Sequence, residues 1–163
     1  MKKIKKIGLD ATIALLRQQH YSAEEILDIL SGHQKEDIRI PLAVFAVHQL
    51  GMLEIMATYL HDERKLTFQE SAAALNRHVQ TICSSYRRAR QKYTKELPAA
   101  KSKILVPVSL FRNRAYTVLE NLVSFLREYG LSNHQIAVML KRRDSTISTI
   151  WQRYRKKSLI LTE

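Results

Sequence analysis

Two stretches of this chain, residues 66–92 and 131–157, are written on one pattern. The first reads LTFQESAAALNRHVQTICSSYRRARQK and the second LSNHQIAVMLKRRDSTISTIWQRYRKK. Laid together without gaps they share L-[ST]-x-x-[EQ]-x-A-x-x-L-x-R-x-x-x-T-I and then a basic tail. Thr67-x-x-Glu70 and Ser132-x-x-Gln135 suit capping boxes, in which a hydroxyl and an acid or amide satisfy the free amides at a helix start. The pattern therefore predicts a short helix, a turn at Asn76-Arg-His78 or Lys141-Arg-Arg143, and a longer basic helix. Ala72 and Ala137 are small where two helices have to cross, with Leu75, Ile136 and Leu140 facing inward. The longer helices are expected over residues 79–95 and 144–157, with Asp144 as an N-cap.

The likeness extends upstream. Ile40-Pro-Leu-Ala-Val-Phe45 recurs as Val106-Pro-Val-Ser-Leu-Phe111, sixty-six residues later. Proline biases its predecessor toward extended backbone, so each reads as a short arm before a helix. Such an arm packs on its own copy, pairs with the other arm, or exchanges between chains; local packing is the default expectation. A supporting helix follows each arm, over residues 48–62 and 117–129. Leu53, Met56 and Leu60 share one face, as do Leu119, Leu122 and Leu126. Thr117-x-x-Glu120 is a further capping box, and Leu53-Glu54 and Leu119-Glu120 mark matching places. The first copy has one extra residue in the loop at 62–65.

The fold expected is all-α: two tandem three-helix helix-turn-helix modules preceded by a short helical N-terminal segment. The boundaries are 1–38 for that segment, 39–96 and 105–163 for the modules, and 97–104 for a linker, because Pro98 interrupts any helix there. Ser22-Ala-Glu-Glu25 caps a helix in the N-terminal segment, which reads as a degenerate half-module lacking its basic helix. Residues 158–163 form a tail expected to dock back through Leu159, Ile160 and Leu161.

Charge points to the partner. Lys and Arg number 27 against 15 Asp and Glu, a net charge of +12. A balance this basic favours polyanions, since each phosphate contact releases condensed counterions. The charge is localised: between residues 76 and 95 there are six basic residues and no acid, and between 141 and 157 seven against Asp144 alone. On the long helices Val79, Ile82, Tyr86 and Ala89 fall to one side, as do Ile147, Ile150, Trp151 and Tyr154. The opposite faces offer Gln80, Thr81, Ser84, Arg87 and Arg88, or Ser145, Thr146, Thr149 and Arg153. Arg77, Arg142 and Arg143 sit in the turns, placed for phosphate. Hydroxyls and amides near a helix start suit base edges or phosphates, and the arginines further along suit the backbone.

The frame resembles the helix-turn-helix of region 4 of bacterial sigma factors and related transcriptional regulators. It is also similar to two-module prokaryotic, largely archaeal proteins built on (I/V)-P-(V/L)-x-(I/V/L)-F, L-x-x-L-E and L-S-x-x-E-I-A-x-L-L-x-R-x-x-x-T-I. The resemblance covers residues 40–92 and 106–157. It implies a DNA-binding fold with Gln80, Thr81 and Ser84, and Ser145, Thr146 and Thr149, at groove-facing positions. The first copy departs from it at Ser71, where an apolar residue is expected, and at Val79, where a polar helix start is. No sigma region 2 is visible, which argues against promoter melting.

Other classes fare worse. The histidines His20, His33, His48, His61, His78 and His134 show no ligand spacing with Cys or carboxylates, so no metal or cofactor is expected. The single cysteine, Cys83, allows no intrachain disulfide and suits a reducing compartment. No Gly-rich phosphate loop is present, and no enzyme is expected. Residues 40–53 carry no formal charge but fall short of the ~20 that a spanning helix needs. A cytoplasmic, nucleoid-associated regulator that binds double-stranded DNA is the leading expectation, with self-association or contact with RNA polymerase as further partners. A monomer with tandem heads favours direct or asymmetric half-sites, a two-fold dimer inverted ones. The alternative is a scaffold or assembly protein that uses the modules and the hydrophobic arms for protein contacts.

Overall fold

The computed structural model describes residues 13, 14, 16–18, 23, 26, 37–98 and 102–161. They are mostly helical, as the composition predicts, with one two-stranded sheet. The chain divides into two units, Met1–Asp37 and Ile38–Glu163. In the first, the described residues before Asp37 are helical. The capping box at Ser22 and the half-module reading of residues 1–38 lie outside the described residues.

Ile38–Glu163 holds both copies. The first is β1 (Arg39–Pro41), a 3-10 turn (Leu42–Ala46), α1 (Met52–Thr58), a π-helical turn (Tyr59–Glu63), α2 (Phe68–Leu75) and α3 (Val79–Lys92). The second is β2 (Leu105–Pro107), a 3-10 turn (Val108–Phe111), α4 (Val118–Glu128), α5 (Asn133–Met139) and α6 (Asp144–Leu161).

The local signals hold. Thr67 accepts from the Glu70 amide at 3.2 Å while Glu70 Oε2 takes the Thr67 amide at 2.8 Å. Ser132 and Gln135 make the same pair of bonds at 3.2 and 2.8 Å, and Thr117 and Glu120 at 3.2 and 2.7 Å. Each box satisfies amides that the first helical turn leaves free. The turns after α2 and α5 also match. Asn76 and Lys141 are left-handed (φ 50° and 49°), and the next amides reach back, Arg77 to the Ala72 carbonyl at 2.9 Å and Arg142 to Ala137 at 2.8 Å. This is the Schellman closure, which turns the chain sharply at a helix end.

The arms do not pack only at home, nor do they need a second chain. β1 pairs antiparallel with β2, placing Ile40 opposite Val106, its counterpart in the other copy. The flanking bonds exchange with the copies: Leu42 N to Ile104 O at 3.0 Å, and Val108 N to Ile38 O at 2.8 Å. The rings of Phe45 and Phe111, also counterparts, lie 5.9 Å apart. Each 3-10 turn contacts its own supporting helix and the second helix of the other copy. The copies are thus related by an internal pseudo-two-fold axis through the arm pair. Ile40, Val44, Phe45, Val106 and Phe111 are fully buried there, in a core that runs through both copies.

Other expectations are corrected. α1 begins at Met52, not residue 48, because Gly51 caps it and the Gly51 amide donates to Glu54 Oε2 at 2.9 Å. The extra residue of the first copy is wound into the π turn, where Arg64 N reaches Tyr59 O at 3.2 Å. α3 stops at Lys92. Residues 158–161 continue α6 and do not fold back, leaving Leu159 and Ile160 67% and 64% exposed. Val79 is exposed at the start of α3, and Ser85 takes the interior position instead.

Candidate nucleic-acid interface

α3 buries Ile82, Ser85 and Ala89, and turns Gln80, Ser84, Arg87 and Arg88 to solvent, with Thr81 half-buried. α6 buries Ile147 and exposes Ser145, Thr146, Thr149, Arg153, Arg155 and Lys156; Arg143 is exposed just before it. Asp144 opens α6 with its carboxylate 2.8 Å from His134 Nδ1. The polar faces expected from the helical wheel are therefore surface, each with an apolar side set against the core.

Their hydroxyls are partly committed. Ser84 donates to the Thr81 carbonyl at 3.1 Å, and its counterpart Thr149 to Ser145 at 2.8 Å. Both keep lone pairs free to accept, and Thr149 keeps its methyl group. Arg88 lies 3.9 Å from Glu54 and is otherwise open to solvent, whereas Arg90 binds Asp62 at 3.2 Å and sits over the Tyr86 ring. Arg90 thus serves the fold.

A duplicated clamp fixes the far ends of both helices. Lys92 Nζ meets the Glu54 carboxylate at 2.8 and 3.1 Å, and Lys157 Nζ meets Glu120 at 2.7 Å. Each Glu also takes an amide at the start of its own helix, so one carboxylate ties the supporting helix to the basic one. Burial pushes both carboxyls up. The lysine bonds and charges with the amide bond outweigh it, Arg88 adding to the effect at Glu54, and both end below the ordinary carboxylate range. The pairing of Leu-Glu in the sequence marked these positions without revealing the partner.

The turns are less exposed than expected. Arg77 and Arg142 are half-buried, and the Arg142 Nε has no partner among the described residues. Arg77 lines a groove of about 450 Å³ between the copies, with His78 and Thr81 from its own copy and Arg114, Thr117 and Lys157 from the other. The Asn76 side chain reaches across to the Arg112 carbonyl at 3.3 Å. Arg114 was not singled out in the sequence, since it lies in a loop outside the repeated frame. Burial, and then the charge of Arg114, push the Arg77 guanidinium below its usual pKa. A second groove, about 510 Å³, has His48, Gln49, Tyr93, Met139 and Lys141 among its lining.

No family model, curated protein or solved structure matches the chain. Among the described residues no group of His, Cys, Asp and Glu could hold a metal ion. Cys83 is a half-buried free thiol. No helix among the described residues is long and apolar enough to cross a membrane.

Proposed function

We propose that this protein binds double-stranded DNA as a transcriptional regulator, using two sigma region 4-like helix-turn-helix modules (α1–α3 and α4–α6) with α3 and α6 as recognition helices. The observation that carries the reading is the pair of exposed, cation-bearing faces on α3 and α6, each set after the same Schellman turn. In a helix-turn-helix the second helix enters the major groove with its early residues near base edges. Gln80, Thr81 and Ser84, and Ser145, Thr146 and Thr149, stand at those positions; Arg87, Arg88, Arg143 and Arg153 stand where phosphates pass. Thr149 reads through its methyl group or as an acceptor, since its proton is spent on Ser145.

The arm pairing changes the expected target. Because counterparts face each other across an axis within one chain, a monomer offers its faces as a two-fold dimer would. Its half-sites run inverted, and they differ in sequence because the two faces differ. Selection from random duplex pools at several salt concentrations tests this. Enrichment of an inverted, imperfect repeat with a steep salt dependence supports the reading. Absence of duplex affinity at low salt sinks it. The scaffold alternative loses its main motive, since the arms are buried within the chain.

A further inference from the structure

We propose that the groove between Arg77 and Arg114 is a phosphate-binding site completed by both copies. It goes beyond base reading, because its cations come from a turn in one copy and a loop in the other. Arg77, His78 and Thr81 line one wall, and Arg114, Thr117 and Lys157 line the other. Among the described residues no carboxylate lines it. The nearby Glu120 is already bound to Lys157 and to the Thr117 amide, so it neutralises the lysine and leaves both arginines uncompensated.

Like charges held together in a part-buried groove raise the free energy of the empty state, and an anion of two or more charges relieves it. The donor inventory fits. A guanidinium presents five N–H donors, and among the described residues Arg77 spends one, on the Asn76 carbonyl at 3.4 Å. The Thr81 hydroxyl and His78 add donors at the rim. The fold supplies its own control. A second groove, lined by His48, Met139 and Lys141 among others, has no arginine among its described lining residues.

The phosphate has two possible sources, the backbone of a bound duplex and a free phosphorylated ligand; only the duplex source rests on the DNA reading above. The test uses the full chain with Arg114→Gln, with Arg77→Gln/Arg114→Gln, and with Lys141→Gln as the control. Pyrophosphate is titrated by thermal shift at fixed ionic strength, and salt-dependent affinity is measured on a selected duplex. Arg114→Gln should melt no lower than the parent without anion, because it removes a repulsion; a purely structural arginine would lower the melting point. A free-ligand site gives pyrophosphate stabilisation that weakens about tenfold in apparent affinity in the double variant and persists in Lys141→Gln. A backbone site gives no pyrophosphate effect and a salt slope smaller by about 0.9 for the one phosphate lost. Neither change in a folded double variant overturns the proposal. If no variant binds duplex at all, the DNA reading fails and the pyrophosphate titration alone judges the groove.

Discussion

Replacing Glu120 by Gln isolates the electrostatic part of the clamp. The carboxylate is 4% exposed and takes Lys157 at 2.7 Å and the Thr117 amide at 2.7 Å. Gln keeps an oxygen for the amide and for the lysine but loses the charge. A bond to a charged group contributes about 1.5–3 kcal/mol and a neutral one about 0.5–1.5. Lys157 is 41% exposed, so solvent screens part of the gain, and the net cost should be about 1 kcal/mol near neutral pH. That corresponds to roughly 2–4 °C in melting temperature for a chain of this size. The pH dependence follows from the direction of the shift. The folded carboxyl sits below its unfolded value, near 4.3, so the stabilisation is present above that value and is lost as pH falls through the folded one. Urea unfolding of parent and variant, near pH 7 and again near pH 3, measures it. The stability difference should shrink toward zero in acid. An equal difference at both pH values, or one that grows in acid, refutes the clamp as an ionic contact. Glu54→Gln should behave alike and add to it, because the two clamps share no partner.

Further outcomes follow from single positions. The Ser71 Oγ is buried without a partner among the described residues, where the other copy has Ile136, so Ser71→Ala should raise stability by about 1 kcal/mol in chemical denaturation. Lys141 is held at φ 49°, where its counterpart is Asn76; Lys141→Asn should relieve about 1 kcal/mol of backbone strain, read as a higher melting temperature. Arg153→Ala should weaken binding to all duplex sequences and lower the salt slope by about 0.9 if it meets one phosphate. Thr149→Ala should change the preferred base and leave the slope alone, and the reverse result would exchange the roles of the two residues.

The features legible in the sequence are those decided within one helical turn. Thr67-x-x-Glu70, Thr117-x-x-Glu120 and Ser132-x-x-Gln135 close boxes three residues wide, and all three form. What could not be read depends on contacts between distant segments. The two arms share a signature, but nothing in either says that Ile40 will face Val106. The same holds for Glu54 and Lys92, thirty-eight residues apart. Where one spacing allowed two faces, the wheel chose the more apolar and misplaced Val79. Val79 is the first residue of α3 and remains 43% exposed, while Ser85 turns inward. Ser85 stands where Ile150 stands in the other copy, and Ser71 where Ile136 does, so both departures put an unpaired hydroxyl into the same module. Each unpaired hydroxyl costs about 1–3 kcal/mol of local stability. The first module should therefore open before the second in hydrogen exchange, although both share one core through the arms. Slower exchange in α3 than in α6 would show that the arm pair, and not the interior of each module, sets local stability. The second module, with isoleucine at both positions, is then the one best able to hold its long helix rigid.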